Sequence, residues 1–435
     1  MTATTRKRDR ASRRDTAPRV GLFGGLGMGN IGNDASMEAI LGFLRASHPE
    51  AVIDAMCPGP DVVRDRFGVQ ASPMSWYRFT ASGSAAVALK LLGKGIDAVR
   101  VAAWVRRHDA VIIPGMGIFE AALPVRASGE PYMLSVVGIA GRLTGTKVAY
   151  VSVGAAPINQ RAVRLLFGLA ARLAFYRSFR DAGSRETMRQ WGIDVARDQV
   201  YPDLAFALPA PEPGPGDPRV VCVGVMDYHG SNDDRPRAAE IREAYVAEMK
   251  SFVRRLLADA RSVRLLVGDT NGSDGEVVAE ILADVRLAMP DLAPDRLIAQ
   301  SVASLGDVMR AMVPAGSVVA IRFHNIVASL MLGKPTIAIS YGRKHDAIMA
   351  DSGVAEFCCP VNGLSEDGLL RRFTELESRS PEVRRILATR KSDNEKLLAE
   401  QFERLWEALF PERGDLSSNY KRGATGADGD VARSS

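Results

Sequence analysis

The sequence predicts an α/β protein: two doubly wound, Rossmann-like halves facing each other across a cleft. Three observations carry this expectation. From Arg19 onward short apolar runs alternate with helical stretches, the pattern of a parallel sheet covered by helices. The alternation breaks once, at a Pro/Gly-rich stretch over 209–218 that suits neither a helix nor a central strand. It then resumes with a second series of similar extent, and 435 residues are enough for about two domains.

Residues 1–18 carry six Arg/Lys against Asp9 and Asp15, a net of +4 out of +5 for the chain, and read as a disordered basic arm. The remainder is near neutral. That argues against nucleic acid as a partner, because such binding needs a basic patch on the domain itself. The first half spans 19–208. Its strands are expected at Val20–Phe23, Ala51–Met56, Ala110–Ile113, Lys147–Val153, Phe175–Phe179 and Gln199–Tyr201, with helices such as Ala35–Arg45 and Ala162–Ala171 between them. The linker is 209–218. The second half spans 219–380, with strands at Val220–Met226, Val263–Val267, Leu297–Ala299, Ser317–Ile321, Thr336–Ser340 and Glu356–Cys359, and helices such as Arg237–Leu257 and Glu276–Ala288. A long helix from Pro381 to Leu409 closes the chain within 381–411, and 412–435 read as a disordered Ser/Gly/Asp-rich tail.

Segment 76–108 is apolar with Arg78, Lys90, Lys94, Arg100, Arg106 and Arg107 interspersed. Two readings stay open: a basic amphipathic helix lying on an anionic membrane, or a helix pair packed on the sheet with its basic side outward. No stretch reaches ~18 uninterrupted apolar residues, and the basic N-terminus lacks the apolar core of a signal peptide. A cytoplasmic location is expected, with peripheral contact at the inner face of the membrane left open. Cys57, Cys222, Cys358 and Cys359 form no CxxC pair and read as free thiols.

Near the N-terminus, Gly27, Gly29 and Gly32 form a literal GxGxxG after the first strand, and Asp54 ends the next strand. This matches the dinucleotide fingerprint. Against it, Asn30, Asn33 and Asp34 crowd the turn, and Asp34 is an anion where a pyrophosphate would sit. The turn is read instead as one that brings a substrate to backbone N–H groups, with Gly27, Gly29, Asn30, Asn33 and Asp34 as acceptor-side candidates, or as a structural turn. A second turn, Pro114-Gly115-Met116-Gly117, leaves room at the same sheet edge through Gly115 and Gly117.

The stretch over 320–346 carries the most chemistry. Arg322 and His324 follow the apolar run Ser317–Ile321, and Tyr341, Arg343 and Lys344 follow Thr336–Ser340. Ligands of parallel sheets bind beyond the carboxyl ends of strands, so three cations and one imidazole meet at one edge. Such a cluster suits a small, multiply anionic substrate with a proton donor beside it. The plainer alternative puts Arg322 in an interdomain ion pair, His324 on a backbone carbonyl, Arg343 and Lys344 on a solvated loop, and Tyr341 over the core. His48, His108, His229 and His345 are scattered, with no HxH or HExxH spacing, so no metal site is expected.

Taken in order, the glycine loop ending Asn33-Asp34-Ala35, the turn over 114–119, Phe179-Arg180-Asp181 through Ser184 with Asp203 downstream, Arg322-Phe323-His324, and Gly333-Lys334-Pro335 with Tyr341 to Lys344 resemble the polysaccharide pyruvyl transferase family. The resemblance covers roughly 19–360. It departs from the family at Asn33-Asp34, where Asp and Glu are usual, and at Pro114-Gly-Met-Gly117, which is poorer in glycine. It implies a fold similar to the GT-B glycosyltransferases. It also implies transfer of a pyruvyl group from phosphoenolpyruvate to two hydroxyls of one sugar, in a polysaccharide, oligosaccharide or glycolipid, giving a cyclic ketal and phosphate. Arg322 and His324 match the family's Arg-x-His, its donor-binding and general-acid pair, and Arg180 matches its Arg-Asp…Ser element. On that reading Arg322 grips a donor anion, Lys344 with Arg343 or Arg180 neutralises the rest, Tyr341 lies beside the donor, and no cofactor is needed beyond phosphoenolpyruvate as co-substrate. Arg180 has an alternative as a salt-bridge partner of Asp181 or Asp203. The competing activity is a nucleotide-sugar-dependent glycosyltransferase on the same architecture.

Overall fold

A computed structural model describes residues 17–76, 84–120, 126–212, 214, 216–230, 232–268 and 273–413. The first half runs β1 (Arg19–Phe23), α1 (Ile31–Ser47), β2 (Val52–Cys57), α2 (Pro60–Phe67), β3 (Gln70–Pro73), α3 (Ser84–Val105), β4 (Ala110–Pro114), α4 (Glu130–Thr144), β5 (Lys147–Val153), α5 (Arg161–Leu173), β6 (Tyr176–Phe179), α6 (Ala182–Gln190) and β7 (Gln199–Val200). Its sheet has the order β3-β2-β1-β4-β5-β6-β7 and is parallel throughout. The second half runs β8 (Asp217–Gly224), α7 (Ala238–Ala258), β9 (Ser262–Leu266), α8 (Asp274–Ala288), β10 (Leu297–Ala299), α9 (Leu305–Met312), β11 (Ala315–Ala320), α10 (Phe323–Met331), β12 (Thr336–Ser340), α11 (Arg343–Asp351), β13 (Cys358–Pro360), α12 (Glu366–Ser378) and α13 (Ser380–Leu409). Its parallel sheet has the order β10-β9-β8-β11-β12-β13.

Central strands β4, β11 and β12 are buried along their whole length, as near-continuous apolar runs covered by helices on both faces should be. β3 has no counterpart in the expected strands. Its sequence, QASP, lacks the β-branched and aromatic residues that mark strands, and as a half-exposed edge strand it does not need them. In both sheets the strand order reverses beside the first strand of the half, between β1 and β4 and between β8 and β11. Crevices for ligands open outside such switch points. The glycine loop follows β1, the Gly115 turn follows β4, and Arg322 follows β11, so three of the sequence's chemical motifs are delivered to those two positions.

Of segment 76–108, residues 77–83 lie outside the described residues, as do the arm through residue 16 and the tail from 414. The remainder is one helix, α3, not a helix pair. Val101, Trp104 and Val105 on it are buried, with the Trp104 ring 6.1 Å from Phe23. The four cysteines are free thiols.

Buried polar contacts anchor the linker and the closing helix. Lys334 is fully buried, and its ammonium donates to the carbonyls of Gly214 (2.8 Å), Val313 (2.7 Å) and Ala315 (2.7 Å). The lysine of the Gly-Lys-Pro turn therefore ties the linker to the second half, at the start of β11 and β12 and away from the cleft. Helix α13 begins on the second half, where Arg384 donates to Gly316 O at 2.7 Å, and ends on the first. There the fully buried Gln401 donates to the hydroxyls of Ser152 (2.8 Å) and Ser178 (2.9 Å), Trp406 stacks on His48 with centroids 3.3 Å apart, and Phe402 stacks on Phe43 at 4.8 Å. The Lys147 ammonium donates to the last carbonyls of the helix, Ala408 (3.1 Å) and Leu409 (2.5 Å), where a cation also suits the helix dipole.

Candidate functional site

The glycine loop is organised by its own side chains. Asn30 caps α1, accepting from the N–H of Gly32 (3.1 Å) and Asn33 (3.3 Å). Asn33 Nδ2 donates to Gly25 O at 3.0 Å, and Asp34 accepts from Gly27 N–H at 2.8 Å while facing Arg66 at 3.6 Å. Burial pushes the Asp34 carboxyl up, opposed by the Gly27 N–H and by Arg66. Asn30, Asn33 and Asp34 thus close the turn with hydrogen bonds of their own. Gly27, at φ +70°, lies against the Gly59 backbone, and Gly29 is likewise left-handed at φ +78°. Gly115, at φ +53°, packs on Ser36 of α1. Gly117 borders Glu120. Asp54, the acid of the apparent dinucleotide fingerprint, accepts from Trp104 Nε1 at 2.7 Å and lies 3.0 Å from His108 Nε2, so it serves the interior instead of a ribose.

Gly32 has a different reason to be glycine. A Cβ there would strike the imidazole of His324, which reaches from the second half onto the first turn of α1. Around that ring the halves exchange charged groups. Arg180, at the end of β6, is 8% exposed. It bonds Glu120, with Asp203 at 3.6 Å and Asp181 at 3.9 Å. Its guanidinium also stacks 4.9 Å from the Phe323 ring of α10. From the other side Lys344 lies 3.9 Å from Glu120 and 5.6 Å from the same ring. Arg343 is exposed, and a Cβ on Gly183 at the start of α6 would stand 3.7 Å from its Nη2. Tyr341 is half-buried, its ring 5.7 Å from Tyr228 and 4.4 Å from His345, and Lys344 lies 5.5 Å over it.

Arg180 therefore takes the salt-bridged alternative, with Glu120 as the carboxylate that sequence reasoning did not foresee. Two of its atoms and its neighbours' remain unspent. Arg180 Nε and Asp203 Oδ2 are both fully buried without a hydrogen-bond partner, although Asp203 Oδ1 accepts from Ala205 N–H at 3.0 Å. Buried polar atoms of this kind are uncommon and are often completed by a bound molecule.

Arg322 is held by a carboxylate of its own half. Its fork is closed on Asp274, with Nε to Oδ2 at 2.8 Å and Nη2 to Oδ1 at 2.6 Å. Asp274 is fully buried at the start of α8 and also accepts from the N–H of Asp227 (3.0 Å) and Gly268 (3.3 Å). The bidentate geometry expected for a donor anion is spent within the second half, fixing the turn that carries His324. A second positioning group is His345, fully buried beneath Tyr341. Its Nε2 lies 3.0 Å from Ile321 O and its Nδ1 3.3 Å from Gly342 O, so one ring spans the turns after β11 and β12.

Electrostatics fix the state of His324. Burial pushes its imidazole down to about 4. Asp203 and Glu120 pull it up, but Arg180 and Lys344 push it further down. The ring is therefore neutral at pH 7. Burial raises the Glu120 carboxyl, but Arg180 and Lys344 outweigh it and the net shift is downward, so Glu120 is ionised. Among the described residues no three His, Cys, Asp or Glu side chains group as metal ligands do.

Comparison with known proteins places the chain. No curated protein sequence matches the chain. Solved structures match it by fold alone. A putative UDP-N-acetylglucosamine 2-epimerase from Listeria monocytogenes is 13% identical with a TM-score of 0.58, covering 92% of this chain and 98% of that one. A UDP-GlcNAc 2-epimerase from Neisseria meningitidis, bound to UDP-GlcNAc, is 10% identical with a TM-score of 0.54, covering 91% and 100%. An α,α-trehalose 6-phosphate synthase from Burkholderia multivorans is 11% identical with a TM-score of 0.54, covering 91% and 99%. The architecture is GT-B. The model of the family described as polysaccharide pyruvyl transferase matches residues 30–343, which include the Asn30–Asp34 end of the glycine loop, Arg180, Arg322, His324 and Arg343. The chain belongs to the polysaccharide pyruvyl transferase family.

Proposed function

We propose that this transferase takes the pyruvyl group of phosphoenolpyruvate and joins it as a cyclic ketal to two hydroxyls of one sugar, releasing phosphate. The observation that carries the reading is the His324 imidazole, half-buried against Gly32 at the junction of the halves with Arg180 and Lys344 beside it. The donor brings a carboxylate and a phosphate. Lys344 and Arg343 stand at the start of α11 to take one of these, and Arg180 Nε and Asp203 Oδ2 are the buried atoms left for donor and acceptor contacts.

Ketal formation begins with a proton on the methylene carbon. A neutral imidazole cannot supply it, so donor binding itself loads the acid: the donor's anionic groups offset Arg180 and Lys344, which add to burial in holding His324 down, and draw its titration upward. The proton passes to the methylene carbon as the first hydroxyl oxygen bonds to C2. The carbon–oxygen bond to phosphate then breaks, and the second hydroxyl closes the ring. Of the two hydroxyl protons, one restores His324 and the other leaves with phosphate. Arg322, held by Asp274, positions the turn and does not grip the donor. Tyr341 and Phe323 form the wall that keeps water from the enol. The scheme calls for no metal or other cofactor.

The test is phosphate release from phosphoenolpyruvate across a panel of glycosides, with mass detection of the ketal, run beside thermal shifts with phosphoenolpyruvate and with UDP- and GDP-sugars. Ketal formation, with stabilisation by phosphoenolpyruvate, is the expected result. Stabilisation by a nucleotide sugar alone, with no phosphate released from phosphoenolpyruvate, would replace this reading with glycosyl transfer.

A further inference from the structure

The near-neutral charge of the folded body conceals one strongly basic face. Helices α3, α4 and α5 lie side by side on one surface of the first sheet, α4 packing on both neighbours. Their sequences contain only two carboxylates, Asp97 and Glu130. Asp97 is buried, accepting from Trp76 N–H at 2.6 Å, and Glu130 is half-buried. Exposed cations are many: Arg106 and Arg107 close α3, Arg142 stands on α4, and Arg161 and Arg164 open α5.

Large apolar side chains stand exposed among them. On α3, the exposed Leu89, Leu92 and Val99 and the half-buried Ile96 follow i, i+3, i+7, i+10 and form one stripe, with Leu92 62% and Val99 70% exposed. On α4, Ile139 and Leu143 are four apart with Arg142 beside them, and Leu143 is 81% exposed. On α5, Leu165 is 70% exposed beside Arg164. A single exposed leucine is ordinary, but leucines repeated across three adjacent helices and rimmed by one sign of charge mark a docking surface.

We infer that the α3–α5 face docks the protein on an anionic lipid surface, its arginines on headgroup phosphates and its leucines in the interface below them. Charge decides between occupants. A second copy meeting this face symmetrically would set cation against cation, which opposes association, whereas an anionic membrane complements it. No helix among the described residues is long and apolar enough to cross a membrane, so the contact is peripheral.

The experiment is sedimentation of the full-length protein with vesicles of phosphatidylcholine alone and of phosphatidylcholine with phosphatidylglycerol, at low and high salt. Three chains are compared: wild type, Arg142→Glu/Arg161→Glu/Arg164→Glu, and Leu92→Ser/Leu143→Ser/Leu165→Ser. All keep the basic arm, and unchanged thermal midpoints establish that the variants fold. Wild type should bind the anionic vesicles and release at high salt. The arginine variant should bind at least about 100-fold more weakly, given the attraction of each cation to such a surface. The leucine variant should also lose binding. Failure of wild type to bind at low salt, equal binding to neutral vesicles, or variants that bind like wild type through the arm would each overturn the inference. So would a wild-type dimer that the leucine variant converts to monomer.

Discussion

His324 is the residue on which the chemistry turns. Replacing it with alanine should lower turnover by about 10²–10⁴, the usual contribution of a general acid, with the fold retained. Turnover near that of wild type would remove it from the reaction. Its loading is separately visible. Titrated by NMR, the free imidazole should stay neutral down to about pH 4 and should titrate at markedly higher pH with phosphoenolpyruvate bound. An unmoved titration would sink the loading step. Gly32→Ala tests the same contact from the other half: a methyl group there meets the ring, so activity should fall steeply while the first half stays folded. At Arg322 the kinetics separate two roles. Because its fork holds Asp274, Arg322→Lys should lower kcat while leaving the donor KM nearly unchanged. A raised KM with kcat retained would return Arg322 to the donor.

Among the elements, the turns after β1, β4, β6, β11 and β12 converge because all lie at strand carboxyl ends. That much was legible in the sequence: glycine-rich and cation-rich runs followed apolar ones. Which atoms each side chain would meet was not legible. Asp274 stands 48 positions before Arg322, and nothing local ties a helix-starting aspartate to a distant arginine. Glu120 follows the Gly117 turn directly, so a carboxylate just past a glycine turn was the available signal. Asn30, Asn33 and Asp34 misled because short polar side chains at a helix start cap the loop as readily as they bind ligands. Lys334 is the clearest structural element among the motifs. Lys334→Met would leave three buried carbonyls without a donor and should cost about 3 kcal/mol or more. Denaturant unfolding measures this, and a loss under 1 kcal/mol would show that the linker is not anchored there.

For the whole molecule, the two-sheet architecture was readable because periodicity reports burial on both faces of a sheet. The short edge strand β3 was not, since an edge imposes little on its sequence. Burial of three imidazoles couples the fold to pH. His48 is held near 4, His324 near 4 and His345 near 3, each by burial first. All three lie below the unfolded value of about 6.5, so the stability they contribute is fully present above that pH and is lost as pH falls through their folded values. Glu130, pushed up to about 7 by burial, acts oppositely between pH 7 and its ordinary range. Three imidazoles outweigh one carboxyl, and the melting temperature should fall between pH 7.5 and 5.5. His48→Gln should shrink that fall; an identical fall would take the Trp406–His48 contact out of the account.

The most direct test of the central claim is the reaction run in D₂O with phosphoenolpyruvate and a competent glycoside. Mass analysis of the product would be compared for wild type and His324→Ala. Acid-catalysed protonation of the methylene carbon predicts a ketal whose methyl carries one solvent deuterium, formed with phosphate by wild type and scarcely by the variant. A product without that deuterium, or one formed equally well without the imidazole, would contradict it.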